Sequence, residues 1–586
     1  MFSRLSIRQI NAMDYSIRIG GQAGQGIQTV SAALAKTLVR SGCHVFTHQD
    51  YMSRIRGGHN FNQIRFADRP VFSSRTKVDI LVALDQNTVD IHRGDLTAGG
   101  IVVYDAEAVG QKYDGPAFLD VPSRRIAEAA AGSRLMENAA AAGAVTGMLE
   151  MDIALLAELL SEKFRRKGDE MVDKNVAAAR GGHQFARENC PACSFMIPAQ
   201  QTGTRRMLID GASAVGLGAL LSGCRFYSAY PMTPSTAVLN YMAAKSRRHS
   251  LVVEQAEDEI AAINMAIGAS FAGVRAMTGT AGGGFALMVE GLSLAGMTET
   301  PVVIFVGQRP APATGLPTRT EQGDLLFTLN AGHGEFPRVV MAPGSPEQAF
   351  YLVNKAFDLA EKYQVPSLIL SDTYLNDSEW TSAGFDVSRL HYTDYRLRAG
   401  DLEEIKDYKR HAFTETGVSP LAEPGASPHL VVTDSDEHDE DGHIIEDAGT
   451  RTRMVEKRLL KKMPLLKAEM EPPLLYGATE PEIVLAGWGS TYGVIREAVD
   501  VLGQKRSLAM LHWSEVWPWA GTDKFDYLKL LREASHTICI ENNATSQFAR
   551  LLREQTGYQF RDAINKFDGR PFLLDELVEK VEALID

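Results

Sequence analysis

Glu259 heads the segment Glu259–Gly273, in which almost every later residue is apolar or small. Its carboxylate therefore stands at the mouth of a helix buried on most sides, where it needs a partner. A first-turn glutamate that merely complements the helix dipole is the plainer reading, and Glu254 or Glu257 could fill that part equally. Thr233 lies between Pro231 and Pro234 in YPMTPST, Tyr230–Thr236. The prolines restrict the backbone, so the hydroxyl is held in one place with little entropy left to lose, which suits it to orienting a substrate. The same residues also read as a strand-to-helix turn with Ser235 or Thr236 as N-cap. Arg319 falls in the loop segment TGLPTRTEQ, where a guanidinium can grip a carboxylate through two parallel hydrogen bonds. The alternatives are a surface pairing of Arg319 with Glu321, and a carboxylate anchor at Arg309 instead.

GGQAGQG at Gly20–Gly26 is a glycine-rich turn between a strand and a helix, and the free amides and dipole of such a turn can hold a phosphate. Its spacing is not that of the dinucleotide fingerprint and no acidic residue clearly ends the second strand, which disfavours an NAD site. A structural turn followed by an exposed basic strand remains open. DSDEHDEDGH at Asp434–His443 could bind a divalent ion or be a solvated acidic loop. Cys190–Cys193 is the one CxxC, without a second pair, so this chain is not expected to hold an iron–sulfur cluster by itself.

The elements that must position these groups follow a repeated α/β rhythm. YSIRI, the glycine-rich turn and the helical IQTVSAALAKTLVRSG open a first α/β domain at 1–195, with further strands at His44–Thr47, FNQIRF, VDILVAL and GGIVVYD and helices over Ala127–Lys167. A polar, turn-rich linker is expected at 196–206. From 207 to 379 helices alternate with apolar strands such as PVVIFVG and PSLILSD, the pattern of a doubly wound domain. Residues 380–479 lose that periodicity and read as an extended connection, which ends in the basic helical stretch RMVEKRLLKKM. Alternation resumes over 480–586 as a third compact domain.

YPMTPST, EQAEDEIAAINMAIGASFAG at Glu254–Gly273 and GQRPAPATGLPTRTEQGDLLF at Gly307–Phe327, in that order, resemble the alpha subunit of 2-oxoacid:ferredoxin oxidoreductases. The resemblance covers nearly all of Met207–Leu375, and GHGEFPR at Gly332–Arg338 adds to it. GGQAGQG together with RIRGGHNFNQIRF at Arg54–Phe66 is similar to the gamma domain of the same family, and AGWGSTYG with CIENNATSQFARLL to its transketolase C-terminal-like domain. The implied fold is multidomain α/β: a gamma domain, a thiamine diphosphate-binding doubly wound domain of pyrimidine type, and a transketolase C-terminal-like domain whose business is packing and subunit contact.

The resemblance implies that Glu259 hydrogen-bonds the aminopyrimidine of thiamine diphosphate, with Tyr230 and Pro231 beside the cofactor. Thr233 and Arg319 would hold the 2-oxoacid, and Gly21, Gly24, Gly26, Arg54 and Arg56 would serve coenzyme A. No Gly-Asp-Gly segment occurs in the 586 residues, so a separate beta subunit is expected to bind the pyrophosphate and its magnesium, to carry a [4Fe-4S] cluster and to pass electrons to ferredoxin. A dimer of alpha–beta pairs is the implied assembly. The gamma-then-alpha order and TGLPTRTEQ most resemble 2-oxoglutarate enzymes, with pyruvate and branched-chain 2-oxoacids open and a non-catalytic acyl-CoA-binding scaffold as the rival class.

Composition limits the alternatives. A formal charge of −13 disfavours a nucleic-acid partner, and five scattered cysteines suit free thiols in a reducing cytoplasm rather than a disulfide framework. The N-terminus lacks a secretory apolar region, and the two most apolar stretches, Ile260–Val274 and Ala276–Val289, are too short to span a bilayer and read as buried core.

Overall fold

The computed structural model describes residues 13–52, 57–190, 195, 197 and 206–585. The chain divides into two compact units: Met1–Ile209 with Ser378–Gly384 and Leu573–Glu576, and Asp210–Asp377 with Phe385–Phe572 and Leu577–Asp586.

The first unit is built on an eight-stranded sheet in the order Phe118–Asp120, Leu96–Tyr104, Val78–Ala83, Asp14–Gln22, His59–Ala67, His44–Asp50, Glu379–Ser382 and Met207–Asp210. Asp14–Gln22 runs parallel to Val78–Ala83, and His59–Ala67 is antiparallel to both of its neighbours. Chain order reverses between Asp14–Gln22 and Val78–Ala83, so the glycine-rich turn lies at a topological switch point, where open α/β sheets take ligands. Helices Glu137–Met148 and Asp169–Asn189 pack so closely that a Cβ on Gly143 or Gly182 would overlap the facing backbone at Ala179 or Ala140. Asp169–Asn189 extends helix beyond the expected Ala127–Lys167, because its buried face consists of Asn175, Ala178, Ala179, Gly182 and Ala186 rather than large apolar residues.

The second unit holds two sheets. The larger has the order Glu515–Trp517, Val339–Met341, Pro366–Asp372, Val302–Gln308, Ala276–Ala281, Phe226–Ala229 and Val252–Gln255. All pairs are parallel except that of Glu515–Trp517 with Val339–Met341. The smaller sheet orders Leu474–Gly477, Leu508–Trp513, Ile483–Trp488, His536–Glu541 and Asp562–Asn565. The segments expected as separate domains at 207–379 and 480–586 thus share one compact unit, each with its own sheet. One continuous buried cluster joins them, running from Ile263, Phe285 and Ile304 to Trp488, Trp513 and Phe548.

The stretch expected as an extended connection is more deeply built in than its sequence suggests. It begins as the strand Glu379–Ser382 of the first unit, where Trp380 pairs with Phe46 and the Thr381 hydroxyl accepts from the Val45 amide at 2.6 Å. Farther on, the basic stretch places Lys457 and Lys462 fully inside the second unit, both ion-paired to Glu299. The acidic run folds around the His438–Ile444 bridge, and Glu437 takes two hydrogen bonds from Arg458, at 2.7 and 2.8 Å, and pairs with Arg451. The solvated-loop reading thus fails for Glu437 and His438, while Asp436 and His443 are exposed as it expects.

Two further expectations change. The helices Glu259–Phe271 and Gly282–Met297 expose Ile260, Met265 and Leu287, so the two apolar stretches are not wholly core. Cys43, Cys224 and Cys539 are free and buried, but Cys190 is in a disulfide, against the expectation of free thiols throughout; Cys193 lies outside the described residues. Among the described residues no helix is long and apolar enough to cross a membrane.

Candidate active site

In the second unit the chain runs from Phe226–Ala229 out to the edge strand Val252–Gln255 and back past it to Ala276–Ala281. The resulting switch point lies between Phe226–Ala229 and Ala276–Ala281, and open α/β sheets take ligands at the carboxyl ends of such strands. The segment Tyr230–Ser235 follows the first of these strands and the glycine run Gly282–Gly284 begins a helix after the second.

Asp258 starts the helix Glu259–Phe271 as a true N-cap, its Oδ1 accepting from the Ala261 amide at 2.7 Å, which leaves Glu259 as the first helical residue. Glu259 is only 3% exposed, while Glu254 and Glu257 are exposed, so burial picks Glu259 from the three. Its Oε1 is buried with no hydrogen-bond partner. That oxygen and the Thr280 hydroxyl lie against Gly284, where any Cβ would overlap both. A buried carboxyl oxygen left open beside a glycine cradle fits a hydrogen bond to the ring of a planar heterocycle such as the aminopyrimidine of thiamine diphosphate.

Thr233 is half-buried, and Arg309 Nη1 donates to its carbonyl at 2.7 Å. Pro234 packs onto Gly307, where a Cβ would lie 2.8 Å from Pro234 Cγ. Ser235 does precede the helix Thr236–Lys245, but its hydroxyl donates to the Met232 carbonyl at 2.8 Å and caps no amide. Tyr230 is exposed and Pro231 half-buried at the same edge.

Arg319 is 7% exposed, which rules out the reading of a surface arginine paired with Glu321. Its carbonyl accepts from the Thr373 hydroxyl at 2.8 Å, and its Cβ packs on Gly569. The geometry therefore joins Thr233 to Arg309 and sets Arg319 toward the C-terminal segment. The loop is clamped there through Gln322: its amide donates to the Asn542 carbonyl at 2.7 Å, its Nε2 to the Trp488 carbonyl at 2.8 Å, and its Oε1 accepts from the Asn542 amide at 2.9 Å.

Sequence reasoning missed this clamp and passed over Asp324, both within the quoted TEQGD. Asp324 lies against Gly282, is 8% exposed, and its Oδ2 has no hydrogen-bond partner. Burial pushes its carboxyl up to about 6, with Arg309 acting in the opposite direction. Burial and then the charge of Asp324 push Glu321 up to about 7.

In the first unit, Gly21 belongs to the strand and pairs with Asn60, so its amide is not part of an open loop as expected. Gly24 and Gly26 adopt left-handed φ values of 93° and 85°. Gly26 is the N-cap of Ile27–Arg40 with no side-chain cap, and Asn138 fills the space a Cβ would need there. Arg54 and Arg56 lie outside the described residues.

The chain resembles known proteins along most of its length. Residues 217–457 match the family described as pyruvate flavodoxin/ferredoxin oxidoreductase, thiamine diphosphate-binding, and residues 16–185 the one described as pyruvate ferredoxin/flavodoxin oxidoreductase. The 2-oxoacid:ferredoxin oxidoreductase subunit alpha of a Sulfolobus species is 32% identical over 97% of this chain and 96% of its own length. The 2-oxoglutarate oxidoreductase subunit KorA of Mycobacterium tuberculosis is 28% identical over 97% and 91%. A solved structure, 2-oxoglutarate:ferredoxin oxidoreductase from Magnetococcus marinus with 2-oxoglutarate, coenzyme A and succinyl-CoA bound, superposes with a TM-score of 0.90 at 30% identity, covering 98% of this chain and 100% of that one. The fold is that of an oxidoreductase subunit with a domain of the thiamine diphosphate-binding family. The chain belongs to the alpha subunits of 2-oxoacid:ferredoxin oxidoreductases.

Proposed function

We propose that this chain, with a beta subunit, converts 2-oxoglutarate and coenzyme A to succinyl-CoA and carbon dioxide with electrons passed to ferredoxin, or runs the reverse carboxylation. The observation that carries the reading is the unpartnered Glu259 Oε1 in its glycine cradle, in a chain similar over its whole length to the Magnetococcus marinus enzyme. Thiamine diphosphate, when bound, would supply the carbon nucleophile that attacks the keto carbon and the electron sink that lets carbon dioxide leave.

Glu259 would hold the aminopyrimidine by hydrogen bond and so keep the proton-accepting nitrogen poised. Thr233 would orient the substrate, Arg319 would be its carboxylate anchor, and Arg309 would brace the Thr233 backbone. Tyr230 and Pro231 would flank the cofactor, while Gly21, Gly24 and Gly26 would line the coenzyme A side in a gamma domain at 1–195. The pyrimidine-type domain would be 207–379 and the transketolase C-terminal-like domain 480–586.

The other half of the site, with its magnesium and a [4Fe-4S] cluster, is assigned to the beta subunit because no Gly-Asp-Gly occurs in this chain. The exposed Ile260, Met265 and Leu287 on the helices that begin at the site suit burial against that partner in a cytoplasmic dimer of alpha–beta pairs.

The test is 2-oxoglutarate- and coenzyme A-dependent reduction of a low-potential viologen by this chain alone and by its complex with the beta partner. Activity in the complex alone is the expected result. Activity with pyruvate and none with 2-oxoglutarate would move the substrate. Silence of a cluster-loaded complex on every 2-oxoacid would leave an acyl-CoA-binding scaffold.

A further inference from the structure

We propose that Asp324 is a second working carboxyl group of this site, and that its unpartnered Oδ2 holds the proton taken up by the keto oxygen of a bound 2-oxoacid when the carbonyl carbon is attacked. The inference rests on the 2-oxoacid reading above. Asp324 and Glu259 flank one glycine run, the first against Gly282 and the second against Gly284, and each keeps a buried carboxyl oxygen without a partner.

Two ordinary structural roles for Asp324 fail. It does not cap the helix Gly282–Met297, whose N-cap Ala281 has no side-chain hydrogen bond and whose first amides make none to Asp324. Nor is it the ion-pair partner of Arg309, which donates to the Thr233 carbonyl and forms no salt bridge with Asp324. Yet the residue is firmly held. Its amide donates to Gln308 Oε1 at 3.0 Å, Gln322 is clamped to Asn542 and Trp488, and Gln547 Nε2 donates to the Gly323 carbonyl at 2.7 Å. A side chain held this firmly, with one oxygen left open, is arranged for a ligand.

The charged groups facing Asp324 are Arg309, after the strand Val302–Gln308, and Glu321 on its own loop, with Glu259 at the far end of the glycine run. Burial pushes Asp324 to about 6 and Glu321 to about 7, and Glu321 is half-buried. When the carbonyl carbon is attacked, its π electrons become a lone pair on oxygen. The proton would move from Asp324 to that oxygen, giving a hydroxyl, and the Asp324 carboxylate would take the same proton back when the acyl carbonyl re-forms, so Asp324 would end the cycle as it began.

The experiment uses the reconstituted complex with its beta partner and the variants Asp324→Asn and Asp324→Ala. Asp324→Asn is expected to lower kcat about 100-fold or more, with the limb of the kcat–pH profile near neutrality lost. Thiamine diphosphate affinity of the cofactor-free complex, read from quenching of tryptophan fluorescence, should stay within about twofold, because the group acts on substrate. Formate should restore part of the turnover of Asp324→Ala. Wild-type turnover and pH profile in Asp324→Asn would overturn the inference, and so would a loss of turnover matched by loss of cofactor affinity or melting temperature without formate rescue. A wild-type complex inactive on every 2-oxoacid would instead sink the parent reading.

Discussion

At the amino edge of the seven-stranded sheet Glu299 and Glu361 are surrounded by cations, whereas at its carboxyl edge Glu259 and Asp324 each keep an oxygen with no hydrogen-bond partner. All four are buried to a similar degree. Glu299 pairs with Lys457 at 2.6 Å and with Lys462, and lies 3.2 Å from His411 Nδ1; Glu361 accepts from Arg275 Nε at 3.0 Å and pairs with Arg396. Burial alone would raise Glu299, but the two lysines outweigh it and hold the carboxyl well below its usual range. At the other edge Arg309 fails to offset burial at Asp324. The two edges thus differ in whether their buried carboxylates meet cations, not in how deeply they are buried.

The largest expected effect tests the open edge. Glu259→Gln should lower turnover of the complex by about 10³-fold with no fall in melting temperature, since it removes a buried carboxylate that had no partner. Parallel loss of turnover and stability would place Glu259 with the fastened carboxylates. The converse variant, Glu299→Gln, leaves two fully buried lysines uncompensated and should cost about 3–5 kcal/mol in urea denaturation, while the folded fraction turns over normally. Gly284→Ala inserts a Cβ where Glu259 Oε1 and Thr280 Oγ1 now lie, so thiamine diphosphate should bind roughly tenfold more weakly, at a stability cost of about 1–3 kcal/mol.

The pH dependence of stability should separate the two edges with a smaller signal. Asp324 rises from 3.8 to about 6 on folding, so its contribution is fully favourable below about pH 4 and is lost as pH rises through about 6. Glu299 has the opposite sign: its contribution is present above the ordinary glutamate value and is lost as pH falls through its depressed folded value. Asp324→Asn should therefore flatten the melting temperature between about pH 4 and 6 and leave the acid-side loss in place. An unchanged slope in that window would remove Asp324 from the comparison.

Several residues of the candidate site could be singled out from residue type and spacing alone. An acid at the head of an apolar helix was marked by sequence, with Glu254, Glu257 and Glu259 as candidates, and burial then chose Glu259. Thr233 was marked by its prolines. Arg319 was found by residue type, but its burial and the Arg309–Thr233 bond depend on how the loop folds back, which spacing along the chain does not encode. Asp324 and Gln322 lay inside a quoted motif and went unread, because an aspartate in a loop is ordinary until its neighbours prove to be a glycine and no donor.

Local periodicity by itself determined the α/β class, most of the strands, and the order of the segments, since alternation of apolar residues is a property of each segment alone. Tertiary structure decided the rest. It merged the segments at 207–379 and 480–586 into one unit through a shared core, and returned Glu379–Ser382 to the first sheet. It also buried Lys457 and Lys462 from a stretch that reads as a solvated basic helix. A buried charge is tolerable only against partners distant in sequence, here Glu299, more than 150 residues away, so no local pattern could announce which charges are fastened and which are free.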